Sequence, residues 1–126
     1  MRCLVKATMP VEAGNALVQD PNFSKRLESI LGDLKPEAVY FAIERGQRTI
    51  YLIANALSGA DLPAIGEPLW LSLHADVDVI PLMDRADMAK ATPSILQAAK
   101  KYGSPAPATV ATGPSRRTRV LVGRGA

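Results

Sequence analysis

Residues 36–55 read PEAVYFAIERGQRTIYLIAN, and the way this stretch folds decides where the other segments must go. Two apolar runs rich in β-branched and aromatic residues flank Glu44-Arg45-Gly46-Gln47. That pattern predicts a β-hairpin with Arg45-Gly46 as its two-residue turn. Gly46 supplies the positive φ that the strand twist demands, whereas Arg45 is a poorer first turn residue than Asn or Asp. Counting outward from the turn pairs Ile43 with Arg48, Phe41 with Ile50, Tyr40 with Tyr51 and Val39 with Leu52. Successive side chains alternate, so Val39, Phe41, Ile43, Ile50, Leu52 and Ala54 share a face that must be covered. Ala38, Tyr40, Ala42, Thr49, Tyr51 and Ile53 share the other, which is mixed and aromatic.

Working upstream, Arg2 to Thr8 alternates as a strand, with Cys3, Val5 and Ala7 on one side and Leu4, Lys6 and Thr8 on the other. Val11 to Gln19 suits a short helical turn or an ordered loop, because Gly14-Asn15 weakens a helix. Asp20-Pro21 has the chemistry of a helix start, and Phe23, Leu27, Ile30, Leu31 and Leu34 then form one helical stripe that Lys35-Pro36 closes. Downstream, Ser58 with Asp61 three residues on is a capping pattern, followed by Leu62, Ile65, Leu69 and Leu73 at helical spacing. Pro68 inside that helix is expected to bend it. His74 to Leu82 alternates again and reads as a strand. A last helix is expected from about Asp84 to Tyr102, restarted at Thr92-Pro93, with Ile95, Leu96, Ala99 and Tyr102 on one face and Gly103 as its C′ residue.

The order strand, helix, strand, strand, helix, strand is the βαββαβ pattern of a ferredoxin-like α+β domain with an extra C-terminal helix. Both crossover helices then lie on one face of an antiparallel sheet, and the opposite face is left open. Residues 1–103 are expected to form this domain. Residues 104–126, rich in Pro, Gly and Arg, are expected to be a basic, disordered tail.

Composition narrows the functional classes. The chain is 48% hydrophobic over 126 residues, enough for one modest core, and its single cysteine, Cys3, excludes an internal disulfide or a cysteine-cluster metal site. Cys3 is expected to be a small buried residue. Residues 1–87 hold all 12 acidic residues and 8 of the 15 Lys and Arg, a net −4, so nucleic-acid binding by the folded body is not expected. The remaining residues carry 7 basic groups and no acid, and Arg116, Arg117 and Arg119 are the groups that can neutralise phosphates without sequence specificity. No apolar run reaches a membrane span and MRCLVKATMP has no signal-peptide h-region, which leads to the expectation of a cytoplasmic location.

As a set, Pro10 with Gly14-Asn15, Leu34-Lys35-Pro36-Glu37-Ala38 with Tyr40-Phe41, and Gly46 with Arg48 resemble a small, uncharacterised bacterial domain family of the dimeric α/β-barrel group. The resemblance continues through Ile65, Glu67-Pro68, Ala75-Asp76-Val77, Pro81, Met83 and Asp87, and covers roughly residues 1–90. It implies a homodimer paired sheet to sheet. Architectural relatives include muconolactone isomerase, cofactor-free antibiotic-biosynthesis monooxygenases and stress-responsive A/B-barrel proteins. None supplies a catalytic motif that maps onto this chain residue by residue, and fold analogy does not transfer a reaction.

Several residues are candidates for chemistry. His74, the lone histidine, is the candidate acid or base if it shares a strand face with Asp76; otherwise it is an exposed strand-start residue. Tyr40 and Tyr51, opposed across the hairpin, suit a dimer interface or the positioning of an oxygenated aromatic ligand. Lys6 can pair with Asp76 or Asp78, or receive an anionic ligand. Glu67 and Trp70 flank Pro68 and can edge a pocket opened by a bend there. Arg48 is expected to face solvent with its stem over apolar surface. No metal or nucleotide motif is visible and no cofactor is expected. The sequence thus leads to a homodimeric domain that binds a small organic or aromatic compound, with proton transfer or cofactor-free oxidation as the chemistry open to it. A non-catalytic dimeric interaction or stress-response module is the alternative.

Overall fold

The structure, a computed structural model, describes residues 1–104. The chain divides into two units, Met1–Met83 and Asp84–Ala126, each described by itself.

The first unit contains strands β1 (Arg2–Met9), β2 (Ala38–Glu44), β3 (Gln47–Asn55) and β4 (Asp76–Pro81), with helices α1 (Val11–Gln19), α2 (Phe23–Leu34) and α3 (Leu62–Leu73). The strands form one antiparallel sheet in the order β2-β3-β1-β4, an α+β arrangement compatible with the expected ferredoxin-like fold. β1 pairs on both sides, and its alternation sets the two faces: Cys3, Val5, Ala7 and Met9 are buried while Leu4, Lys6 and Thr8 are only partly covered. The hairpin register is the one counted from Arg45-Gly46, with Tyr40 opposite Tyr51 and Ile43 opposite Arg48. The turn has φ 54° at Arg45 and 76° at Gly46. Two consecutive positive φ values match the right-handed twist of the strands they join.

The core lies between the helices and the face bearing Val5, Ile50 and Leu52, where Leu17, Ile30, Ile65, Leu69 and Leu73 close over the sheet. Full burial of a side chain such as Leu52, Leu69 or Leu73 contributes about 1.5–3 kcal/mol. Cys3 is one of these core residues, 1% exposed, as expected of a small apolar side chain. The predicted stripe of α2 also meets the core, with Ile30 buried and Phe23, Leu27, Leu31 and Leu34 packed against it. Lys35, at φ 45°, ends that helix.

Several boundaries differ from expectation. Val11–Gln19 is a full helix in spite of Gly14-Asn15. Asp20 does not start α2; its carboxylate accepts from the Asn22 amide and its carbonyl from the Phe23 amide, so it organises the turn between the helices. Ser58 and Asp61 do form a capping box, around a 3₁₀ turn at Gly59–Asp61 that leads into α3. Pro68 lies inside α3, which continues through it. His74 is not in a strand: it has φ 51° and ends α3, and β4 starts at Asp76. The αL conformation lets its amide return to the Leu69 and Trp70 carbonyls.

The described part of the second unit is one helix, α4 (Arg85–Tyr102), started by a reciprocal Asp84–Asp87 capping box. It is continuous through Pro93 rather than restarted there, and the Thr92 hydroxyl donates to the Met88 carbonyl. Gly103 has φ −74° and is not the left-handed residue expected. No residue of α4 is buried; Ile95, Leu96 and Tyr102 are 50%, 63% and 76% exposed. The expected disorder of the tail and the phosphate-neutralising Arg116, Arg117 and Arg119 fall on residues outside those described.

The turn gives a direct test. An added Cβ at Gly46 would meet no neighbouring atom, so the cost of Gly46→Ala is that of the left-handed backbone alone. We expect Gly46→Ala to destabilise by ~1 kcal/mol and Arg45→Asn to stabilise, both read from urea midpoints. Equal midpoints for wild type and Gly46→Ala would contradict the assigned turn.

Candidate functional site

The sheet face away from the core is built in rows read from the strand register. Ala38, Ile53, Leu4 and Ile80 form one apolar row across all four strands. Tyr40, Tyr51, Lys6 and Asp78 form the next, and Ala42, Thr49, Thr8 and Asp76 the one after it. Beyond the apolar row, Glu37 receives hydrogen bonds from Arg2 Nε at 3.0 Å and Asn55 Nδ2 at 2.7 Å. The Asn55 and Arg2 bonds hold the Glu37 carboxyl below its ordinary range.

On the other side of the tyrosine row, Glu44 ends β2 and joins the face from the turn. Lys6 Nζ donates to Glu44 Oε2, and the Tyr51 hydroxyl donates to Glu44 Oε1. Glu44 thereby links β2, β3 and β1. Thr49, one row nearer the turn than Tyr51, is 2% exposed although it stands on this face. Its hydroxyl donates to the Gln47 carbonyl at 3.1 Å. Lys6, Thr8, Glu44, Arg45, Gln47, Asp76 and Asp78 line a polar recess of about 220 Å³.

The electrostatics of this network are mutually reinforcing. The Lys6 ammonium, then the Tyr51 hydroxyl, hold the Glu44 carboxyl below its ordinary 4.5. The same bond to Glu44 raises Lys6 above 10.5, with charge support from Tyr51 and Asp78 as well. Tyr51 is raised above 10.0, first by Glu44 and then by burial. Each group is therefore held more firmly in the form it already has at neutral pH: carboxylate, ammonium, neutral phenol.

The sequence-predicted residues divide into groups. Lys6, Tyr51 and Tyr40 stand in one row, with Tyr40 65% exposed. The bonded partner of Lys6 is Glu44 rather than Asp76 or Asp78; Asp78, directly opposite in the register, supports the Lys6 charge without a direct bond. His74 lies outside β4 and is not among the residues lining the polar recess, so the shared strand face with Asp76 does not exist. Glu67 is exposed on α3, and the Trp70 ring lies back against buried Gly66, where an added Cβ would be 2.8 Å from it. Neither Glu67 nor Trp70 lines the polar recess.

Arg48 is exposed, as expected, but it stands on the helix-facing side, and its Nη1 donates to Asn15 Oδ1 at 3.1 Å. It borders a second, apolar recess of about 180 Å³ between α1, α2 and the hairpin. Glu44 is the residue that sequence reasoning missed. As part of the turn it has no face in the hairpin count, although one further step of the alternation puts it on the face that carries Tyr51, beyond the Thr49 row. Among the described residues no cluster of three or more His, Cys, Asp or Glu is arranged to hold a metal ion, and no helix is long and apolar enough to cross a membrane.

The pH dependence follows from the directions above. Glu44 is depressed in the folded state, so its contribution is full above its ordinary value and is lost as pH falls through the lowered one. Lys6 and Tyr51 are raised, so theirs is full below their ordinary values and is lost as pH rises through the raised ones. The stability gap between wild type and Glu44→Gln should be constant around neutrality, narrow below the ordinary carboxyl value of 4.5, and narrow again in alkali. Denaturant melts at several pH values measure it; an acid-independent gap would mean that the pairing does not exist in solution.

Compared with known proteins, the chain matches no family model, no curated protein and no solved structure, so its function must be argued from its own residues.

Proposed function

We propose that this chain is a homodimeric small-molecule-binding domain whose open sheet face, with the Lys6–Glu44–Tyr51 network standing on it, binds a small organic compound. The observation that carries this reading is that network: three bonded, ionisable side chains beside an apolar row, on a face that α1, α2 and α3 leave open. The apolar row and Tyr40 suit an aromatic or alicyclic body. The exposed Asp76 and Asp78 carboxylates, with Thr8 and Gln47 beside them, suit hydroxyl or amine donors on the ligand.

A second copy laid sheet to sheet is the cover that supports this best. Tyr40 and Ile80, 65% and 43% exposed, offer large apolar contact area on the same face. Burying Glu44 in such an interface is tolerable because both of its oxygens already have donors. The resemblance to dimeric α/β-barrel domains points the same way. The mutual bonding of Glu44, Lys6 and Tyr51, each shifted toward the form it has at neutral pH, supports a binding role for this face.

Light scattering together with a thermal-shift panel of hydroxylated and amine-bearing aromatic compounds tests the proposal. Wild type should be a dimer at micromolar concentration. Tyr40→Glu, which puts a charge on the face without touching the Glu44 bonds, should shift it to monomer. Lys6→Met should leave the chain folded and lower the response to ligand about tenfold, the scale of one charge-assisted bond. A monomeric wild type that no compound stabilises would sink the reading.

A further inference from the structure

We infer that the apolar recess between α1, α2 and the hairpin is a second binding site, for a small organic carboxylate whose apolar body enters the recess and whose charge meets Arg48. This site is on the helix-facing side of the sheet and is independent of the one proposed above.

Shape comes first. Met9, Val18, Phe23, Leu27, Phe41 and Ile50 supply apolar walls around about 180 Å³. Phe41 and Val18 are 64% and 48% exposed, so large apolar groups stand open to water at the recess. An apolar cavity of about 150 Å³ is enough to hold a benzene ring. The occupant is therefore one aromatic ring or a short alkyl chain.

Charge comes second. Arg48 occupies a position on the helix-facing side, between Ile43 on β2 and Met9 on β1. Its protein partner is the neutral Asn15 amide, and among the described residues no carboxylate pairs with it. A guanidinium carries five N–H donors in a planar fork that matches a carboxylate. Asn15 orients that fork and leaves most of its donors available.

The backbone beneath Arg48 is the third observation. Gly14 is buried inside α1, and a Cβ there would come within 2.8 Å of Arg48 Nη1. Glycine in a helix interior is unfavourable relative to alanine. What it allows here is for the guanidinium to lie close against the helix. That places a cation against the middle of α1, held by a neutral amide and not by a carboxylate.

The test is an NMR titration of the full chain with benzoate and hexanoate, against benzamide and hexanamide as uncharged controls. Benzoate or hexanoate should move the Val18, Leu27 and Ile50 methyl signals and the Arg48 Nε–H signal, binding at least about tenfold tighter than its amide. Arg48→Gln should abolish that preference while leaving the weak apolar component. Gly14→Ala, which displaces the guanidinium, should weaken the acid and not the amide. Val18→Trp, at the exposed mouth, should block both, and it serves where a core variant would not fold. Equal affinity of acid and amide would overturn the site. So would shifts confined to Lys6 and Tyr51, or no response at the highest soluble concentration. None of these outcomes depends on whether the chain dimerises or binds ligand on its open face.

Discussion

Val5 and Lys6 are neighbours in the chain and stand on opposite faces of the sheet, one wholly buried and the other bonded to Glu44. That period of two, imposed on a strand paired on both edges, is the constraint on which the structure rests. β1 is hydrogen-bonded to β3 and β4 at once, so its register fixes theirs, and β3 in turn fixes β2. A slip of one residue would turn Lys6 into the core and Val5 out of it. Burial of an unpaired ammonium is so unfavourable that the core alone specifies the register. The layout of the open face, apolar row beside tyrosine row, is therefore inherited from the packing of the other face.

How much of this was legible depended on whether a residue's role was set by alternation or by reach. The hairpin register, the two face assignments and the stripe of α2 follow from the spacing of Ile50, Leu52, Leu27 and Ile30, and the structure has them so. The expected cover stops short of the edge, where Phe41 and Ile43 stay exposed. Glu44 escaped because its partners Tyr51 and Lys6 lie across strands, and no local pattern states how far a side chain leans. His74 was misplaced for a different reason. Alternation of His74, Asp76 and Asp78 extends the strand pattern back to a residue that the helix end claims, with φ 51°. At Gly14, low intrinsic propensity argued against a helix, and burial of Leu17 against the sheet overrode it. The partner of Arg48 was beyond reach from sequence, because Asn15 is 33 residues away.

The two faces also divide the chemistry. On the open side, charge is internally matched in a chain of bonds, and the groups left over are acidic. On the helix side, the group left over is a cation beside apolar walls. Side-chain charges of opposite sign are thus sorted by a sheet one residue thick, through the alternation that sorts apolar from polar side chains in the core.

β2 lies at the edge of the sheet, paired with β3 alone, and its inner segment AVYFAI has neither charge nor proline. Phe41 and Ile43, 64% and 83% exposed, stand on it. Edge strands in soluble proteins are usually blunted by lysine, proline or a bulge, because an unpaired row of amides is a template for another chain. Here the flanking Pro36 and the charged Glu44-Arg45 turn bracket the segment without interrupting it. Six uncharged residues of high β-propensity also meet the compositional pattern of a cross-β zipper. Among the described residues this edge strand is thus an aggregation hazard, a template to which a strand of another chain could be added outward from the folded sheet.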